Sequence, residues 1–162
     1  MSDTTQKLAK ALADGPHNLN GLEFLQRIAD GRLPPPSFAV LLDIRPVEAD
    51  KGRAVFAAVP DTRFYNPLGT VHGGFAATML DTCMGCAVHT RLKAGQSYTT
   101  LDLVVHYVRR ISAASGELRA EGTVLHLGRT TASASGRLID ARGRLLAHAT
   151  ASCQIFSTPS EH

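Results

Sequence analysis

Residues 75–90 constrain this 162-residue chain more than any other stretch. They read Phe-Ala-Ala-Thr-Met-Leu-Asp-Thr-Cys-Met-Gly-Cys-Ala-Val-His-Thr, with no proline, no Lys or Arg, and one acidic residue, Asp81. From about Gly74 to Thr90 the run is long enough for four helical turns. A helix that is apolar nearly all round has to be covered on most of its sides. The rest of the chain can supply that cover. After Gly95, residues 98–108, 117–127, 130–140 and 144–156 read as strands, each long for its kind. Ser115-Gly116, Gly128 and Ala141-Arg142-Gly143 separate them, short turn signals spaced for antiparallel hairpins.

Upstream, residues 38–44 and 52–59 read as two further strands around a polar turn near 48–51. Leu22, Leu25 and Ile28 recur at helical spacing between residues 19 and 29, and Pro34-Pro35-Pro36 stops that helix. The expected organisation is an N-terminal helical segment and proline linker over 1–36, then one domain over 37–157. The fold class is α+β, one long helix wrapped by a curved antiparallel sheet of about six strands. One sheet cannot cover such a helix completely, so dimerisation is expected.

Composition narrows the function classes. A hydrophobic fraction of 44% with 19% charged residues suits a globular chain. The net charge is only +3 and Arg109-Arg110 is the one adjacent basic pair, so no basic run marks a nucleic-acid binder. No stretch approaches the roughly 18 apolar residues of a membrane span, and residues 1–14 lack the apolar core of an export signal. Three cysteines, an odd number, fit a reducing cytoplasm, which is the expected location.

Asp81 is the chemical anomaly. Burying an unpaired carboxylate disfavours its charged form, and such groups concentrate where chemistry is done; the plain alternative is a carboxylate that faces solvent or caps a loop. Just upstream, Asn66-Pro67-Leu68-Gly69-Thr70-Val71-His72-Gly73-Gly74 leads into the helix. Paired glycines allow close backbone approach, and a helix N-terminus offers free N–H donors with positive potential, suited to a carbonyl oxygen gaining charge. Asp81 lies seven residues beyond Gly74, about 10 Å along the axis. Either the substrate spans that gap or a second subunit supplies one partner.

Asn66, His72-Gly73-Gly74 and Asp81 together resemble the signature of the phenylacetate-pathway (PaaI-like) type of hot-dog thioesterase and of the similar mammalian thioesterase-superfamily acyl-CoA hydrolases. The element order carries the resemblance over roughly residues 20–156. It implies a hot-dog fold and a homodimer or homotetramer built by pairing sheet edges. The substrate implied is an acyl- or aryl-CoA thioester, with coenzyme A entering as part of it and no separate cofactor or metal. The Gly73 backbone N–H would polarise the thioester carbonyl, Asp81 of the partner chain would act as general base or nucleophile, and Asn66 would orient a water or the carbonyl. His72 and Gly74 are expected in the substrate-binding part of the site, with His72 also shaping the turn into the helix. Thr100 matches the family's Ser/Thr near the reacting water, and Arg109, Arg110 and Arg129 are candidates for the coenzyme's phosphates. Two departures stand out: Arg109-Arg110-Ile111 replaces the usual Arg-Pro, and Gly85 stands where aryl-CoA relatives carry a Thr, leaving room but no hydroxyl.

Other signals are weaker. Cys83-Met84-Gly85-Cys86 with His89 offers three ligands on one helix and no second pair, so buried helix residues are the better account. His106, His126 and His148 fall on expected strands and could in principle cluster; His17 and His162 have no such context. No nucleophile elbow is present. The rival functions are a hot-dog dehydratase or hydratase using His72, and a non-catalytic acyl-CoA-binding protein.

Overall fold

The computed structural model describes residues 18–157. The helical reading of residues 1–17, with His17, and the terminal His162 lie outside the described residues. Among the described residues three α-helices, α1 (Gly21–Ala29), α2 (Ser37–Leu41) and α3 (Gly73–His89), accompany six strands. The strands are β1 (Arg45–Asp50), β2 (Arg53–Ala58), β3 (Gln96–Tyr107), β4 (Leu118–Leu127), β5 (Thr131–Ile139) and β6 (Leu145–Ser157). All pairings are antiparallel, in the order β1-β2-β4-β5-β6-β3. The long helix and the four long strands lie within two residues of where the sequence puts them.

The region before β2 is a correction. Residues 38–44 are not a strand: Pro36 caps α2, and the strand is β1, shifted downstream to Arg45–Asp50. A short apolar run such as Phe38-Ala39-Val40-Leu41-Leu42 has no period that separates helix from strand. Arg45-Pro46-Val47-Glu48-Ala49-Asp50 looks unlike a strand, yet at a sheet edge proline is tolerated. Its Glu48 is held by Arg53 at 2.8 Å and Arg119 at 2.6 Å, and a bulge falls between Pro46 and Glu48.

Helix α3 lies across the concave face of the sheet. Met79, Leu80, Cys83, Met84, Ala87 and Val88 are fully buried there against small strand residues such as Ala120, Ala134 and Ala149. Helix α1 closes the flank: Leu25 joins the same core, and Asn20 caps the helix by accepting from the Glu23 N–H at 3.0 Å. Gly21 is held because a Cβ there would fall 1.8 Å from the His89 carbonyl oxygen. The helix is covered on most of its sides, and the stripe Ala77, Thr78, Asp81 and Thr82 stays partly exposed. The sheet and α1 cannot wrap past that stripe.

The β5–β6 turn rests on one buried carboxylate. Asp140, 2% exposed, accepts from the Arg142 and Arg144 N–H groups, both at 2.9 Å, and from the Arg144 guanidinium at 2.8 Å. Asp140→Ala is expected to cost about 2–3 kcal/mol, the scale of buried charge-assisted hydrogen bonds, read as a lower denaturation midpoint. An unchanged midpoint would show the turn to be set by Gly143 (φ 74°) alone.

Candidate active site

The loop 66–72 delivers the chain into α3 through a set of local hydrogen bonds. The Asn66 side-chain oxygen accepts from the Leu68 N–H at 2.9 Å and the Thr70 N–H at 3.2 Å, and its amide donates to the Thr70 hydroxyl at 2.9 Å. Asn66 is therefore occupied in shaping this turn. His72 caps the helix, its Nδ1 accepting from the Gly74 N–H at 2.9 Å, which places the ring hydrogen on Nε2. That bond uses up the Gly74 donor. The Gly73 N–H has no acceptor among the described residues and opens at the positive end of a 17-residue helix.

Tyr107, at the end of β3, reaches the same place. Its hydroxyl donates to the Gly73 carbonyl at 3.0 Å, and its ring lies where a Cβ on Gly73 would come within 3.1 Å. The Gly73–Gly74 peptide is thus pinned on both sides, by Tyr107 at its carbonyl and His72 at its N–H. Nothing in the sequence pattern pointed to Tyr107; the path of β3 alongside the helix start is needed to find it. An open cleft of about 380 Å³ lies here, lined by Thr70, Gly73, Ala76, Tyr107, Arg109 and Arg110 among others.

Asp81 projects from the half-exposed stripe of α3. Thr100 on β3 donates to its Oδ1 at 2.9 Å, so the Thr nominated from sequence is the group that orients the carboxylate. Thr100→Val should keep the strand, because valine suits it as well, and lower turnover about tenfold by freeing Asp81 to rotate. Turnover within twofold of the parent would mean the bond has no positioning value.

The arginines separate. Arg110 borders the Gly73 cleft, whereas Arg109 in the same cleft donates to the Leu145 carbonyl at 2.8 Å. Arg129 is exposed in the β4–β5 turn, beyond the end of β3 that carries Tyr98 and not beside Gly73 of its own chain. The room expected over Gly85 is taken: a Cβ there would lie 2.5 Å from the Tyr98 hydroxyl. That is a correction, invisible until β3 is laid beside α3.

Cys83 is buried and donates to the Leu80 carbonyl, and burial pushes the Cys86 thiol up to about 12, so neither is a ready nucleophile. Among the described residues no group of three or more His, Cys, Asp or Glu is placed to hold a metal ion. His106 and His148 stack at 4.8 Å as cross-strand partners on β3 and β6, without His126, which lies on β4. Nor is any helix among the described residues long and apolar enough to cross a membrane. His89 stacks on Phe24, and burial lowers its pKa below the ordinary 6.5. Below that pH the unfolded chain takes up a proton that the folded chain resists, so stability falls as the solution is acidified. His89→Leu should flatten that acid-side slope; an identical slope would assign it to other groups.

Residues 68–147 match the family model described as the thioesterase superfamily. A phenylacetic acid degradation-related protein of Ralstonia eutropha is similar at 32% identity and TM-score 0.73, covering 80% of this chain and 98% of that one. Escherichia coli PaaI shares the fold at 19% identity and TM-score 0.73, covering 83% and 94%. The proofreading thioesterase EntH of Klebsiella pneumoniae is 33% identical over 84 residues, 52% of this chain and 60% of that protein. A Halobacterium salinarum protein is 42% identical over 64 residues, 38% of this chain and 40% of its own. The chain therefore spans less than two thirds of these two curated relatives.

Proposed function

Because this chain belongs to the thioesterase superfamily, we propose that it hydrolyses an acyl-coenzyme A thioester to the free acid and coenzyme A. The observation that carries this reading is the N–H of Gly73, without an acceptor among the described residues and fixed at a helix mouth that opens on a cleft bordered by Arg110. A thioester oxygen there would meet a donor placed for the charge it gains in the tetrahedral intermediate. Asp81 acts as general base. It takes a proton from water, the resulting hydroxide adds to the carbonyl carbon, the carbon–sulfur bond breaks, and the leaving thiolate takes the proton from Asp81, which regenerates the carboxylate. Thr100 holds one carboxylate oxygen and leaves the other for that water. The arginines of the cleft suit the coenzyme's phosphates, Arg110 more than the already bonded Arg109.

Gly73 and Asp81 of one chain are more than two helical turns apart, too far to share one reacting carbon. Edge strand β3 offers the solution. Its 12 residues have no strand on their outer side among the described residues, and Leu101, Val104 and Tyr107 are exposed on it. Two-fold pairing of two such edges sets Tyr107, beside Gly73, against the end of the neighbouring strand that carries Thr100, beside the partner subunit's Asp81. The active unit is then a homodimer with two composite sites, and a pair of dimers makes the homotetramer.

Release of free thiol from acetyl, medium-chain, long-chain and aromatic coenzyme A esters tests the reaction. Hydrolysis of at least one class is expected. Hydration of an enoyl thioester with none of them hydrolysed would replace this reading with the hydratase. A tumbling mass of one chain in solution would remove the composite site.

A further inference from the structure

A second cavity, of about 210 Å³, lies between α1, the proline segment, α2, α3 and β3. One wall is Thr82, Cys86 and His89 of α3 with Tyr98 of β3; the facing wall is Phe24, Leu25, Ile28, Pro35, Pro36 and Ala39. Asp81 is not itself in the lining, but it lies close enough for its charge to act on Cys86 and Tyr98. Thr82 follows Asp81 in the chain, and Tyr98, two residues before Thr100, lies over Gly85 one turn beyond Asp81. The far side is formed by Pro35, Pro36 and Ala39 and by the Phe24 ring stacked on His89 at 5.6 Å; Ile28, Pro35 and Ala39 also border a larger open cavity of about 710 Å³ beyond it. The phenol of Tyr98 and the thiol of Cys86 stay protonated, both raised first by burial and further by the charge of nearby Asp81. The cavity therefore presents an uncharged, mostly hydrocarbon lining.

Resting on the thioesterase reading, we propose that this cavity is the acyl site, and that it selects a compact apolar acyl group and excludes long chains. A cavity of about 150 Å³ accommodates benzene, and each water-sized group takes about 30 Å³, so this one holds roughly seven carbons. Straight acyl chains of about six to eight carbons, or one ring with a short arm, fill it once the carbonyl sits at Asp81. A longer chain runs against Pro35 and Ala39, which stand between this cavity and the larger one. Helix α1 and the proline segment, which lie outside the hot-dog wrap, thus set the length limit.

The test uses the full chain with coenzyme A esters of two, eight and sixteen carbons and with S-octyl coenzyme A, a thioether that cannot be hydrolysed. Octanoyl ester should exceed both acetyl and palmitoyl esters at least tenfold in kcat/KM. Ala39→Leu, which puts three more carbons into the far end, should lower octanoyl turnover at least tenfold, while a thermal melt like the parent's shows that the variant is folded. Phe24→Ala should shift the preferred length upward. S-octyl coenzyme A should bind the parent at least tenfold more tightly than it binds Ala39→Leu, with or without turnover. Preference for palmitoyl ester, or a length profile and thioether affinity unmoved by both substitutions, would overturn the cavity assignment. Loss of thioether affinity in Ala39→Leu with no ester hydrolysed would uphold the cavity and overturn the hydrolase.

Discussion

Asp81→Ala lowers kcat on the preferred coenzyme A ester by about 10²–10⁴, the range for loss of a positioned general base, while the melting temperature stays within a degree or two. The two halves of that expectation come from one observation. Asp81 sits on the half-exposed stripe of α3, outside the set of fully buried helix residues, and its only hydrogen-bond partner among the described residues is the Thr100 hydroxyl. Removing it opens no cavity and leaves a hydroxyl that water can satisfy. Surface changes of that kind usually fall within about 0.5 kcal/mol. Asp81→Asn sharpens the test, because the amide keeps the Thr100 contact and the shape but cannot take a proton. Stopped assays of thiol release beside thermal melts give both readings. An Asp81→Ala enzyme with near-parental turnover would move the base elsewhere, and a collapsed melt would make the residue structural.

Gly122→Ala acts at the other extreme, on the fold. Gly122 stands in the centre of the sheet, between Ala54 on β2 and Gly136 on β5, directly under α3. A Cβ there would lie 2.3 Å from the Cys83 carbonyl oxygen and 2.6 Å from the Met84 nitrogen. Those are backbone atoms, so no side-chain rotation relieves the clash. The helix has to lift by about 1 Å, and at native packing density such a gap loosens contacts along the whole seam. Overpacking of a core costs about 1–3 kcal/mol and occasionally more. A backbone clash belongs at the top of that range, about 3 kcal/mol, out of a total of roughly 5–15 kcal/mol. Chemical denaturation should show the midpoint fall, and activity should fall too because Asp81 rides on the displaced helix. A variant as stable as the parent would mean that α3 and β4 approach less closely than these distances require.

Much of this protein is legible in its sequence. The proline-free run 75–90, the four long runs after Gly95 and the Gly-bearing turns between them are local signals, and α3, β3, β4, β5 and β6 follow them. The lone carboxylate and the glycine pair that opens the helix were equally plain, because charge in an apolar helix and glycine at its start are properties of neighbouring residues. The misplaced first strand shows the limit. Five apolar residues after Pro36 carry no usable period, and a strand containing Pro46 and Glu48 is acceptable only at an edge, next to Arg53 and Arg119 from other strands.

The tertiary structure alone decided what surrounds those marked residues. That β3 joins the sheet beside β6, and not beside β2, brings Thr100 to Asp81, Tyr107 to Gly73 and Tyr98 into the space over Gly85. It also left Asn66 folded into its own turn and Gly74 tied to His72, so that one N–H at the helix mouth is without an acceptor among the described residues. Periodicity and turn chemistry act over a few residues and set which elements form. Which strand lies beside which is settled by the burial of faces far apart in the chain, and no local pattern carries that information.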